Sequence, residues 1–266
     1  MTVDFKGKNA LVTGASSGLG VDFARELAKL GANVILVARR EEMLRKVAAE
    51  ISQQYGVKAE VITLDLSGRD APQALYDQLK AAGTPVDILV NNAGFGMFGE
   101  FVELDWERER NMLELDIITL VHLTKLFVRD MTDRSYGYIL HVASIGAYQP
   151  SPLYASYAAA KSFVLNFGEA LNYELRGTNV RSTVISPGIT ATEFLKVAGQ
   201  QPTLYQRMVL LTSPAVARIG VRAMLRGRPS VVPGLLNAAT AWSNRLMPRR
   251  MATAIGYMLM KSEKAV

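Results

Sequence analysis

SIGAYQPSPLYASYAAAKSF, residues Ser144–Phe163, decides how the rest of the chain is read. It leaves a β-type run, YGYILHVAS, crosses a loop rich in proline and tyrosine, and enters an alanine-rich helix. Tyr157 and Lys161 stand four residues apart in that helix, so their side chains leave one face. A free tyrosine titrates near pH ~10, too high for a proton shuttle near neutrality. A lysine ammonium beside it stabilises the phenolate. Bringing the phenol to neutrality takes about 4 kcal/mol, which one close cation in a cleft largely supplies. Ser144 adds a hydroxyl to whatever oxygen Tyr157 protonates. Alone, a tyrosine and a lysine at this spacing describe an ordinary helix surface. The strand-end serine and a glycine turn far upstream change that reading.

The glycine turn follows Asn9–Thr13, a buried strand, and opens a helix running to about Leu30. It reads Gly14-Ala15-Ser16-Ser17-Gly18-Leu19-Gly20. Its glycines permit a tight turn and let backbone N–H groups approach a pyrophosphate at the helix N-terminus. The spacing differs from G-x-G-x-x-G but uses the same physics. Gly14 to Gly18 also fits G-x-S-x-G, the nucleophile elbow of serine hydrolases, with Ser16 as nucleophile. That rival needs a histidine late in the chain, and the histidines are His122 and His141.

In kind and order, Thr13 to Gly20, Asn91-Asn92-Ala93-Gly94, Ser144, Tyr157-x-x-x-Lys161 and Pro187-Gly188 resemble the short-chain dehydrogenase/reductase family from about Gly7 to Glu193. The resemblance implies an α/β fold: a single Rossmann-like, doubly wound parallel sheet with helices on both faces. It implies hydride transfer between a nicotinamide and a carbonyl or alcohol. Tyr157 is then the general acid, Ser144 orients the carbonyl oxygen, and Lys161 lowers the Tyr157 pKa and binds the nicotinamide ribose. The cofactor wall is Gly14, Ser16, Ser17, Gly18, Leu19 and Gly20, with Asn92, Ala93 and Gly94 beside it. By the same resemblance Asp65 and Leu66 flank the adenine, Pro187, Gly188 and Ile189 hold the carboxamide, and Thr192 nears the phosphates. Helices containing Asp116 and Tyr157 often pair in this family, so a homodimer or homotetramer is expected.

The second strand ends at Ala38 and is followed by Arg39 and Arg40, where an NAD-binding chain has an acidic ribose acceptor. Two guanidinium groups there pair with a 2′-phosphate, so the expected cofactor is NADP. Where the family has an asparagine on its long helix, MLELDIITLVHLT places Asp116. Asp116 keeps the backbone carbonyl but brings a carboxylate. It either stabilises the Lys161 ammonium or distorts the proton relay. That departure motivates one alternative, a dinucleotide-binding sensor or scaffold with weak catalysis.

Phe95, Met97, Phe98, Tyr148, Leu153, Tyr154 and Phe194 would make an apolar substrate pocket, favouring a hydrophobic ketone or aldehyde. Packing is the other reading of the Phe95–Gly99 loop. His141 is read as a packed core histidine. No His, Asp or Glu cluster has metal-ligand spacing, so no metal is expected.

The 266 residues, 49% hydrophobic and 20% charged, suit one globular α/β domain. With no cysteine, disulfides and thiolate catalysis are excluded. A net charge of +6 and a pI near 9.5 suit anionic ligands, yet no arginine-rich run or nucleic-acid motif appears. MTVDFKGKNALVTG has no signal-peptide core, and the expected location is cytoplasmic. The expected division is a 1–234 domain with a substrate lid over about 189–212, then a helical extension over 235–266. Pro248 divides that tail into two amphipathic pieces carrying Trp242, Leu246, Met247, Ile255, Tyr257 and Met258 among basic residues. The tail packs on its own domain or a partner, covers the substrate cleft, or lies on an anionic membrane. Packing that closes the substrate side is the expectation.

Overall fold

The computed structural model of the chain describes residues 4–188, 190, 197–200 and 210–261. Seven strands form one sheet: β1 (Asn9–Thr13), β2 (Asn33–Ala38), β3 (Ala59–Thr63), β4 (Ile88–Asn91), β5 (Gly137–Val142), β6 (Val180–Ile185) and β7 (Ser230–Val231). They lie in the order β3-β2-β1-β4-β5-β6-β7, and every pairing is parallel. Central strands such as Ile88-Leu89-Val90-Asn91 are buried on both sides. That explains their unbroken apolar runs, because parallel sheets are covered on both faces.

Helices α1 (Gly18–Lys29) and α2 (Glu41–Tyr55), with α7 (Ser213–Leu225), cover one face. Phe23 and Leu27 of α1, Leu44 of α2 and Val216 of α7 meet Val12, Leu36, Val90 and Leu140 of the sheet there. The opposite face is covered by α3 (Ala71–Ala81), α5 (Leu120–Asp133) and α6 (Ala155–Glu174). Leu75, Leu79, Phe127 and Met131 pack on Leu11, Leu89 and Ile139. Each such large side chain, fully buried, contributes about 1.5–3 kcal/mol.

Two boundaries differ from the sequence expectation. The apolar run Val57–Leu64 reads as a third strand, and the structure holds it to Ala59–Thr63, where the exposed edge leaves only Ile62 fully covered. The helical periodicity over Trp106–Arg129 reads as one long helix, and the structure has three pieces there. These are α4 (Trp106–Leu113), a π turn over Glu114–Thr119, and α5. In the tail, α8 (Leu235–Ser243) and α9 (Arg249–Met260) are separated at Pro248, as the sequence predicts.

β1 lies between β2 and β4, so the chain winds away from it in both directions. The crevice outside the carboxyl ends of β1 and β4 is the topological switch point, where ligands bind in open α/β sheets. A cavity of about 910 Å³ lies there.

Candidate active site

One wall of the cavity is backbone. Gly14 has φ +66°, and a Cβ there would strike Asn92 Nδ2 and Ala93. At Gly20 a Cβ would overlap the Gly14 carbonyl, so Gly20 serves the turn from inside α1 rather than lining the cavity. Thr13 ties the turn to the next loop: its Oγ1 accepts from the N–H of Asn92 (3.0 Å) and of Ala93 (2.9 Å), and donates to the Val90 carbonyl (3.2 Å). Asn92 Nδ2 in turn donates to the Thr13 carbonyl at 2.8 Å. Two loops that both line the cavity are thereby fixed to each other. Ser16, Ser17, Gly18 and Leu19 line the cavity at the N-terminus of α1, with its free N–H groups.

Arg39, Arg40, Asp65 and Leu66 stand at one end of the cavity. Arg40 Nε donates to Ser16 Oγ at 3.2 Å, and Arg39 lies 3.6 Å from Asp65. Burial pushes the Asp65 carboxyl up, but the Ser67 amide and hydroxyl and the Arg39 guanidinium outweigh it and leave it lowered. The Arg39 side chain remains 72% exposed, so its ion pair is weak and its charge is available to an anion.

Ser144, Tyr157 and Lys161 meet at the centre. Ser144 begins the 3-10 turn Ile145–Tyr148, accepts from the Gly146 N–H at 3.2 Å, and hydrogen-bonds the Tyr157 phenol. Asp116 joins the group through the π turn, but behind it. It is fully buried and does not line the cavity. Lys161 Nζ lies 3.1 Å from Asp116 Oδ2, donates to the Val142 carbonyl at 3.2 Å, and is 5.6 Å from the Tyr157 ring centre. Burial raises the Asp116 carboxyl, against the Lys161 ammonium and the Phe95 N–H, which lower it. Burial and then the Asp116 charge push the Tyr157 phenol well above its ordinary value, partly opposed by Ser144. Lys161 thus stands within reach of both the Asp116 carboxylate and the Tyr157 ring.

Of the expected substrate residues, Phe95 and Tyr154 line the cavity. Met97, Phe98, Tyr148 and Leu153 do not. Met97 is buried in the core; Phe98 lies against the Tyr154 ring while its N–H is held by Ala198. Tyr148 is drawn under the sheet end by Ser186 and Ser230, and Leu153 has φ +67° with its carbonyl held by the Gly99 N–H. Ile189, Thr192 and Phe194 lie outside the described residues; Thr190 lines the cavity beside Pro187 and Gly188.

Two groups line the cavity beyond the substrate residues expected from the sequence. Arg108 of α4, 6.0 Å from the Phe95 ring centre, and Gln149 line the outer cavity. Asn237, Thr240, Met247, Ala252, Ile255 and Met260 line it from the tail. Asn237 lies against Gly188, where a Cβ would overlap its amide, and Nδ2 donates to the Pro233 carbonyl at 3.1 Å. Asn237, Ala241 and Ala252, the small side chains, are the buried ones. Trp242 and Leu246, expected to pack, are 61% and 73% exposed on this chain, because the small-residue side gives the closer approach.

His141 is a core residue. Its Nδ1 is 3.2 Å from Asn91 Nδ2, Phe167 packs edge-on, and burial lowers it to about 3. Neither histidine lines the cavity with Ser16, whose hydroxyl is engaged by Arg40, so nothing here assembles a hydrolase triad. Among the described residues no group of three or more His, Asp or Glu could hold a metal ion. Nor is any described helix long and apolar enough to cross a membrane.

A doubly wound parallel sheet with a glycine turn at its switch point defines the Rossmann-like class. The family model for short chain dehydrogenases matches residues 8–203, and the chain belongs to the short-chain dehydrogenase/reductase family of oxidoreductases. It is 30% identical to the very-long-chain 3-oxoacyl-CoA reductase of Anas platyrhynchos, over 97% of this chain and 80% of that protein. A solved 7beta-hydroxysteroid dehydrogenase superposes with a TM-score of 0.86 at 25% identity, covering 95% of this chain and 97% of that one. A short-chain dehydrogenase from Sphingobium yanoikuyae, in complex with NADPH, gives a TM-score of 0.81 at 26% identity, with coverage of 97% and 98%.

Proposed function

We propose that this chain is an NADP(H)-dependent reductase of a ketone carried on a hydrophobic body. The observation that carries the reading is the convergence of Ser144, Tyr157 and Lys161 on one cavity with the glycine turn at its other side. The residues fit a phosphorylated dinucleotide: the N-terminus of α1 and the Gly14–Leu19 backbone suit a pyrophosphate, and Arg39 and Arg40 suit a 2′-phosphate. When bound, the nicotinamide supplies the hydride. Tyr157 donates its phenol proton to the carbonyl oxygen, Ser144 holds that oxygen in line, and Thr13 keeps the two cofactor loops in register. Phe95, Tyr154, Met247, Ile255 and Met260 form an apolar wall for the body of the substrate. Likeness to a 3-oxoacyl-CoA reductase and to a hydroxysteroid dehydrogenase supports a lipophilic ketone, with a 3-oxoacyl thioester first in line.

The test is NADPH oxidation against 3-oxoacyl thioesters of rising chain length, steroid ketones and aryl ketones. Turnover whose KM falls as the acyl chain lengthens is expected. Tight NADPH binding with no turnover on any member would replace this reading with that of a cofactor-binding sensor.

A further inference from the structure

We propose that Asp116 is a positioning residue that draws the Lys161 ammonium away from the Tyr157 phenol and so sets this site for carbonyl reduction rather than alcohol oxidation. The proposal rests on Tyr157 being the proton donor and goes on to the direction in which the site is poised. Asp116 and Lys161 are 3.1 Å apart, with side chains 0% and 7% exposed, so solvent does not screen them. The π turn brings Asp116 inward, and Gly94 admits it, since a Cβ at Gly94 would overlap Asp116 Oδ1. Neither carboxylate oxygen has a well-angled hydrogen bond, although the Phe95 N–H is near. Lys161 is thus the countercharge that keeps Asp116 tolerable in the interior, and separating them would strand a buried charge.

The consequence falls on Tyr157. Donation to a carbonyl needs the phenol, whereas accepting a proton from an alcohol needs the phenolate. A lone ammonium beside the ring would favour the phenolate; an ammonium paired with a carboxylate carries almost no net charge. Among the described residues, the groups facing Tyr157 include Asp116 from the π turn, Lys161 from α6, Tyr154 at its start, and the Ser144 hydroxyl after β5. Asp105, Glu107 and Arg108 line the outer part of the cavity. Among these described groups Lys161 is the cation, and Asp116 is paired with it. Burial and the Asp116 charge act on the phenol in the same direction.

Asp116→Asn removes the carboxylate and keeps the shape. Rates in both directions with NADP(H), measured over about pH 6 to 10, read the effect, beside an ultraviolet tyrosinate titration. The pH midpoint for alcohol oxidation is expected to fall by about one to three units, with oxidation near neutrality rising at least tenfold. Reduction should lose its alkaline side correspondingly earlier. An unmoved midpoint and tyrosinate titration in a folded Asp116→Asn protein would overturn the proposal. So would a wild-type oxidation midpoint near neutrality, which needs no variant. Tyr157→Phe separates the two readings: an active Phe protein removes the proton donor itself, while an inactive one with an unmoved Asp116→Asn profile removes the proposal alone.

Discussion

The two walls of the cavity are built by different means. The wall proposed for the cofactor is backbone braced by two side chains, Thr13 and Asn92, which tie the Gly14 turn to the Asn92–Gly94 loop through bonds of 2.8–3.2 Å. The tail wall is side chains of two short helices and the link between them, seated through Asn237, Ala241 and Ala252, while Trp242 and Leu246 point out. A backbone wall fits a ligand of fixed shape. A wall of Met247, Ile255 and Met260 adapts, because unbranched methionine fills irregular space. On the proposed function, the contrast assigns constancy to the cofactor half and variety to the substrate half.

The largest expected effect is at the junction of the walls. Tyr157→Phe should lower kcat for ketone reduction by about 10²–10⁴-fold, while the NADPH dissociation constant, read by fluorescence titration, moves only a few-fold. A comparable loss of NADPH affinity would place Tyr157 in the cofactor wall instead. Next, replacing Arg39 and Arg40 together with alanine should weaken NADPH by about 10–100-fold and NADH little, since charge-assisted hydrogen bonds are worth about 1.5–3 kcal/mol. Equal losses would show that the arginines serve the fold.

Beneath the cofactor wall, His141 gives a pH signature. Its folded value is about 3, against about 6.5 in an unfolded chain. The unfolded state binds more protons between these values, so the stabilisation is complete above about pH 6.5. It is lost as pH falls toward 3, at about 1.4 kcal/mol per unit. Urea unfolding should show that slope, shallower in His141→Gln; identical slopes would assign the acid sensitivity to other groups.

On the tail wall, Ala241→Leu should cost about 1–3 kcal/mol by overpacking, seen as a lower Tm. The smallest effect belongs to Trp242→Ala, within about 0.5 kcal/mol for an exposed side chain. A large, concentration-dependent loss of Tm there would reveal a second copy of the chain covering the tail.

These walls also differ in how far the sequence discloses them. The glycine turn, Ser144, Tyr157 and Lys161 are legible because each spacing is tied to one backbone geometry. Phe98, Tyr148 and Leu153 were misplaced because apolarity says that a side chain avoids water, not which neighbour it avoids it with. In the tail the small residues, silent in a hydrophobicity reading, choose the inward side. Asp116 was legible as a departure and its pairing with Lys161 as one of two readings, but the π turn was not: helical periodicity runs through Leu113, Ile117 and Leu120 without marking it.

That π turn has a consequence for length. A π turn fits one more residue into a turn than an α-helix does, so the chain after Thr119 is rotated by about 100° from a continuous α-helical course. Residues of α4 and α5 therefore belong to two angular frames, and no single helical wheel describes them. Removing one residue from 114–119 would restore a regular helix without breaking a single turn of backbone bonding. It would also swing whatever carboxylate remained off the axis of Lys161, leaving a better helix around a differently charged site.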